Sequence, residues 1–384
     1  MRIIHTSDWH LGRLFHGVNL LEDQAYILEN FVYLVKESKP EVILISGDVY
    51  DRSLPPAEAV SLLGEILTRI CLEYKVPVII IAGNHDNPER LSFAQEILSG
   101  QGVYIVGLFN DFFRPIIMED QYGPVYFCPI PYCEPAFARN YLQDENIRDH
   151  DGAMAALTNK IVSNIPEGRR RVGLAHALVV GGEESESERP LTVVGGAGAV
   201  DVDLFKCFHY TALGHLHRPQ GMESGTVRYA GSLLKYSFSE VDQPKSVTFI
   251  ELDSIGQVTD LEEITLGCRR DMRIIDGNLA ELLQGSRDGL NKEDYIKVIL
   301  KDEGALLDPL GKLRTVYPNI LDLERPILLA GPGKGKPAMD HRKMNDVDLF
   351  SSFFEQVGGQ ALSDEEKNEL SSILDEFYHQ ERGL

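Results

Sequence analysis

The sequence predicts an α/β fold of two facing sheets with helices outside, an αββα sandwich, followed by a small α/β unit and a helical tail. Three observations carry that prediction. Runs such as "EVILIS" and "VPVIIIAG" are almost wholly apolar, as strands covered on both faces are. Segments of helical length and period separate these runs over the first hundred residues. From about 103 to 132 short strands follow one another closely, which adds a second sheet.

In order, "RIIHTS" is a strand and roughly 22–38 a helix. "EVILIS" (41–46) is the second strand, and Glu58–Leu72 a helix with Val60, Leu63, Leu67 and Ile70 on one stripe. "VPVIIIAG" (76–83) is the third strand, and "VYIVG", "PIIME" and "PVYFCPIPY" follow. "RRVGLAHA" (170–177), "YTALGHLH" (210–217), "TVRYAGS" (226–232) and "SVTFIEL" (246–252) complete a domain over 1–265. The Gly-, Ser- and Glu-rich stretch at 181–200 is a long loop, a kind that is either disordered or functional. A second unit over 269–330 alternates "MRIID", a helix near 278–284, "YIKVIL", a helix near 308–316 and "ILDLE". "GPGKGKP" (331–337) is a linker, and 338–384 a tail whose Ser363 and Glu366 form a capping box.

Composition narrows the class. With 43% hydrophobic and 25% charged residues the chain builds an ordinary globular core. A formal net charge of -22 argues against a simple basic nucleic-acid binder and against adsorption to an anionic membrane. The charge is uneven: ten Lys/Arg face eleven Asp/Glu in 269–325, but four face eleven in 337–384. The second unit is therefore the surface best suited to meet an anion. Five scattered cysteines, no secretory signal and no apolar run of membrane length point to a soluble, cytoplasmic protein.

The chemistry sits where strands end. "IIHTSDWH" ends on Asp8 and His10, "VILISGDVYD" on Asp48 and Asp51, and "VIIIAGNHD" on Asn84, His85 and Asp86. "VGLAH" ends on His176, and "TALGHLH" on His215 and His217. Any one of these is most simply a satisfied polar residue. Five together, on one rim of an α/β sheet, read as a site. Oxygen and imidazole donors without thiolate favour Mn, Fe or Zn. Asp8 and His10, two residues apart on an extended segment, point the same way and reach one ion, as do His215 and His217. Two ions about 3.5–4 Å apart polarise a phosphoryl oxygen and activate water, so the reaction class is phosphate-ester hydrolysis. Asn84 offers a carbonyl oxygen, and His85 protonates the leaving oxygen or steadies phosphate charge. Asp51 fixes the His85 tautomer, and Asp86 is either a support for the site or a turn-former.

These blocks, in this order, resemble the calcineurin-like metallophosphoesterases: DxH, GDxxD, GNHD, a lone His, then GHxH. The resemblance implies a first metal on Asp8, His10, His217 and bridging Asp48, a second on Asp48, Asn84, His176 and His215, and His85 as the catalytic histidine. "HTSDWHLGR", "GDVYDRSLPP" and "GNHDNPERL" look like the DNA-nuclease branch of that family, as do "SESERPLTVVGG" and "YAGSLLKYSFSE". That branch implies two Mn ions, cutting of duplex ends, single strands and hairpins, a cap over DNA at 269–330, and a tail that binds a coiled-coil ATPase. In the tail, Leu349, Phe350, Phe353 and Phe354 are the candidate partner contacts, although aromatics at helical spacing are most often core. A homodimer through helices near 56–72 and 89–98 is also implied, with Leu62, Leu63 and Ile66 as the hint. Asp51-Arg52 favours the alternatives of a small-substrate phosphatase or cyclic-nucleotide phosphodiesterase. A scaffold with a vestigial metal site is the third reading.

Overall fold

Alternation along the first strands decides how they pack. Ile3, Val42, Leu44, Ile79 and Ile81 turn to one face and Ile4, Ile43, Ile45, Val78 and Ile80 to the other, all at most 1% exposed. A sheet buried on both faces follows. In the computed structural model this sheet has six strands in the order Val258–Thr265, Ser246–Leu252, Arg2–Thr6, Val42–Ser46, Val78–Ile81 and Val103–Val106. The last four run parallel, and the first two join antiparallel.

A second six-stranded sheet has the order Gln220–Met222, Val227–Tyr229, Tyr210–Gly214, Arg170–His176, Gly123–Ile130 and Ile116–Asp120. Its four central strands are parallel and its two edges antiparallel. Phe127, Val172, Leu174, Tyr210 and Ala212 from this sheet share one core with Ile3, Leu44, Ile79 and Ile250 from the first. The two-sheet sandwich expected from sequence is therefore the fold. Helix Leu21–Ser38 buries Ile27, Leu28, Phe31 and Val35 on one stripe. Helix His150–Val162, which the sequence reading did not assign, packs Ala153, Met154, Leu157 and Ile161 with Cys128, Ile130 and Leu213 of the second sheet. Its start was legible: the Asp149 carboxylate accepts the Gly152 N–H at 2.9 Å as an N-cap.

One stripe needs correction. The second helix spans Ala57–Thr68 and ends in a wider turn at Arg69–Glu73. Ala59, Leu63, Ile66 and Ile70 are its buried side, whereas Val60 is exposed. Leu63 and Ile70 are buried as expected, and Ala59 and Ile66, both fully buried, take the places expected for Val60 and Leu67.

The structure describes residues 1–326 apart from 111–112, 192–197, 224, 286–290 and 305, and then 347, 350, 351, 354, 362, 363 and 365–373. The 331–337 linker, Leu349 and Phe353 lie outside the described residues. The chain divides into two compact units, Met1–Asp271 and Met272–Leu384. In the second unit three parallel strands, Met272–Gly277, Tyr295–Leu300 and Ile320–Glu324, lie in sequence order. Helices Leu279–Leu282 and Pro309–Arg314 complete it, around Ile296, Val298, Leu300 and Leu313. In the tail, Ser363 and Glu366 form the expected reciprocal cap, with Glu366 accepting the Ser363 N–H at 2.8 Å.

Arg170, at the start of its strand, grips Asp120 on the neighbouring edge with two nitrogens, at 2.8 and 2.6 Å. The Arg170 guanidinium holds the Asp120 carboxyl well below its usual range, against the opposing effect of burial. A carboxyl so depressed stabilises the fold above its ordinary value near pH 4, and that contribution fades as pH falls further. Replacing Asp120 with Ala leaves the buried guanidinium only the Asp253 and Gly123 carbonyls and takes the carboxylate from the buried Met1 ammonium as well. At pH 7 the urea unfolding free energy should fall by about 3 kcal/mol; an unchanged midpoint would show that Arg170 finds water instead.

Candidate metal centre

Parallel strands that are neighbours end at the same rim, so Thr6, Ser46 and Ile81 of one sheet and His176 and Gly214 of the other deliver their following residues to one place. The chain does not stay extended there. Asp8 (φ 53°), His10 (45°), Asp48 (50°) and His215 (111°) all take the left-handed backbone region that side chains avoid. The expectation that extended geometry aims Asp8 and His10 together is thus corrected. Each residue is turned inward by a strained backbone, held by the carbonyl of Gly47 accepting the Asp8 N–H at 3.1 Å and that of Asp48 accepting the His10 N–H at 3.0 Å.

All seven expected ligand residues converge. His10 Nε2 lies 3.0 Å from His217 Nε2 and 3.6 Å from Asp48 Oδ2. Asp48 Oδ2 is 3.5 Å from His176 Nε2, so this one oxygen sits midway between two imidazoles. Asn84 Oδ1 is 2.8 Å from His176 Nε2 and 3.2 Å from His215 Nδ1. The Asp8 carboxylate comes within 4.8 Å of His10 and His217 on one side and of Asp48 and His176 on the other. Close approach of backbone makes this possible. A Cβ on Gly83 would run into the Asp48 carboxylate and backbone nitrogen, and one on Gly214 into the Ser46 carbonyl.

The electrostatics ask for cations. Burial, and then the charge of Asp48, push the Asp8 carboxyl well above the ordinary carboxylate range. Burial holds His10 and His215 well below the usual imidazole value, reinforced by neighbouring rings, and lowers His176 as well. The neutral forms of His10, His176 and His215 are thereby favoured, and a neutral ring has a lone pair to give. Two nitrogens 3.0 Å apart at His10 and His217, beside two buried carboxylates, fit divalent ions of the Mn, Fe or Zn type.

His85 stands at the mouth, half-buried, with its ring edge-on to His10 at 4.7 Å. Its Nδ1 donates to the main-chain carbonyl of Asp51 at 2.8 Å. The expected role of the Asp51 side chain is therefore corrected: its backbone sets the tautomer. The Asp51 carboxylate instead pairs with Arg13 at 3.1 Å and lies 3.6 Å from His10 Nδ1. Asp86, left open by the sequence, clamps two loops by accepting N–H groups of Gly83 (2.9 Å), Val49 (3.2 Å) and Tyr50 (3.0 Å).

Several supports escaped the sequence reading. Gln24, on the first helix, donates to the Trp9 and His10 carbonyls and accepts from the Gly12 N–H. Tyr236 packs edge-on against His10 at 5.5 Å and His217 at 5.6 Å and donates to the Trp9 carbonyl at 2.5 Å. Arg13 lies over the Tyr236 ring at 4.8 Å and donates to the Ser187 carbonyl. Tyr236 and Ser187 fall in "YAGSLLKYSFSE" and "SESERPLTVVGG", so those stretches were the available signal.

Residues 1–219 match the model of the family described as calcineurin-like phosphoesterase, and 268–358 match that of the type 5 capsule protein repressor C-terminal domain. The SbcD subunit of the SbcCD nuclease of Staphylococcus saprophyticus is 35% identical over 374 residues, covering 97% of this chain and 98% of its own. Its counterpart in Staphylococcus epidermidis is 33% identical over 379 residues, covering 98% and 99%. The solved 5'-nucleotidase precursor of Thermus thermophilus aligns at 14% identity over 70% of this chain and 54% of its own, with a TM-score of 0.38.

Burial and the charge of Asp48 favour a proton on Asp8, which a divalent ion would displace, whereas burial disfavours the charged forms of His10, His176 and His215. Affinity for Mn should therefore fall as pH drops from 8 to 6, with proton release seen by calorimetry in buffers of different ionisation heat. Equal affinity at both values would mean that Asp8 is already charged before the ion arrives.

Proposed function

From the premise that this chain belongs to the calcineurin-like phosphoesterases and, within them, to the SbcD family, we propose that it is a Mn-dependent DNA nuclease subunit. It hydrolyses phosphodiester bonds in the cytoplasm, as an exonuclease on duplex ends and an endonuclease on single strands and hairpins, in DNA repair and recombination. The observation that carries this reading is the sharing of Asp8 and Asp48 between two adjoining groups of imidazole and amide donors.

Asp8, His10, Asp48 and His217 would hold one ion, and Asp48, Asn84, His176 and His215 the other. Bound there, two ions supply Lewis-acid polarisation of the phosphoryl oxygen and a nucleophile from water at neutral pH. The protein's own part is to hold the phosphate at the mouth and move a proton. His85 Nδ1 keeps its hydrogen because a carbonyl only accepts. Nε2 is then the atom that takes up a proton, and the imidazolium so formed passes that proton from Nε2 to the departing oxygen. Arg52, exposed and next in sequence to Asp51, would meet a neighbouring phosphate in this reading.

The nearly neutral second unit serves as the DNA cap, and the tail docks on an SbcC-type coiled-coil ATPase. Phe350 and Phe354, 46% and 40% exposed, are the described residues of that contact. For a homodimer, the hinted residues Leu63 and Ile66 are spent in the chain's own core. Phe93 (80% exposed) and Ile97 (75%) are the apolar side chains on the 89–98 segment that remain free for a second copy.

His85→Ala should lower Mn-dependent cleavage of linear duplex and hairpin DNA by about 10²-fold or more, while calorimetry still finds both ions bound. Retained cleavage would remove His85 from the chemistry. In the same assays, rapid turnover of p-nitrophenyl phosphate or cyclic nucleotide with none of DNA would favour the phosphatase alternative. Deleting 338–384 should abolish ATPase co-elution yet spare DNA cleavage, whereas co-elution of the truncated chain would move the contact elsewhere.

A further inference from the structure

We infer that Ser187 and Glu240 form a buried relay that positions His217, and that the 183–190 loop is thereby part of the metal centre. The inference rests on the reading of His217 as a ligand. Ser187 Oγ is 2.5 Å from His217 Nδ1 and 2.5 Å from Glu240 Oε1. A serine hydroxyl has one proton to give, and a carboxylate can only accept. The chain of donation is therefore fixed: His217 Nδ1–H gives to Ser187, and the Ser187 hydroxyl gives to Glu240. The imidazole is left with its lone pair on Nε2, the atom that faces His10 at 3.0 Å inside the cluster.

The relay is anchored rather than incidental. Glu240 is fully buried, and Lys245, itself buried, pairs with it at 2.6 Å. Glu240 Oε2 also accepts the Tyr236 N–H at 3.2 Å, and Oε1 the Ser237 hydroxyl at 3.1 Å. The His217 backbone is gripped as well. Its N–H gives to Glu188 at 2.8 Å, and its carbonyl accepts from Lys245 at 2.7 Å. His217 is thus held at ring, N–H and C=O together. A buried glutamate and lysine are expensive in an apolar setting, and a packed hydrophobic pair would serve stability at least as well. A partner on the far nitrogen of a ligating imidazole instead fixes its tautomer and raises its basicity, at about 10–100-fold in metal affinity.

The test uses the full-length protein. Mn uptake by metal-free protein is followed by calorimetry, and ¹⁵N-histidine NMR in chelator reads the tautomer of His217. In the wild type His217 should carry its proton on Nδ1. Ser187→Ala should release that preference and weaken one of the two ions by about tenfold, with the melting temperature in chelator unchanged. Ser187→Thr, which keeps a hydroxyl, should restore both readouts. Should Ser187→Ala fail to fold, Glu240→Gln, which keeps an acceptor for Ser187 but removes the charge, should likewise weaken one ion. Wild-type Mn affinity and an unchanged tautomer in the soluble variant would overturn the relay. If His217→Ala itself binds both ions as the wild type does, the ligand assignment fails instead, which separates the two outcomes.

Discussion

Two carboxylates out of water, ringed by neutral imidazoles, set the terms for this molecule. Asp8 and Asp48 are each at most 1% exposed and repel one another. Nothing in the core gains from that arrangement, since buried charge is costly without a partner. The strained backbone at Asp8, His10, Asp48 and His215, the glycines that admit close approach, and the hydrogen bonds that Gln24 donates and Asp86 accepts all serve to hold it. The two-sheet architecture supplies the rim, and the loops supply the aim.

The rim was legible because it is written in local pattern. Strands such as Val42–Ser46 and Val78–Ile81 are apolar at nearly every position, and period and burial leave few alternatives for them. Ligand residues placed just past such strands can be gathered by topology alone. What was illegible depends on groups far apart in sequence. No spacing rule links Gln24 to His10, or Tyr236 to Trp9, because these contacts arise only when the first helix and loops distant in sequence are packed. Asp51 shows a subtler failure. Its type suggested a carboxylate bonded to an imidazole, yet the bond is made by the one atom that every residue carries there. The offset stripe on helix Ala57–Thr68 has a similar cause: Val60 and Ile66 are equally apolar, and only tertiary packing chooses between them.

Charge distribution gives the two units different characters. The first unit buries Asp8 and Asp48 at its rim, and divalent ions held there would offset that charge. The second unit, close to neutral in 269–325, has its own small parallel sheet and its own core. Under the proposed function, an acidic protein of this kind would meet a polyanion through bound ions and through a surface that does not repel it, rather than through a basic face.

The "GNHD" stretch shows how four adjacent letters can answer to unrelated demands. Gly83 is there for room, Asn84 brings an amide oxygen to His176, His85 carries the proton in the proposed function, and Asp86 fastens the loop to the one carrying Val49 and Tyr50. Asparagine in the fourth place would set an amide nitrogen against main-chain hydrogens, so aspartate is demanded there by loop architecture and not by chemistry on a substrate. A descendant that had lost catalysis but kept its shape would still need the first and last letters while the middle pair drifted. Half of such a signature therefore reports ancestry of form, and only its centre reports activity.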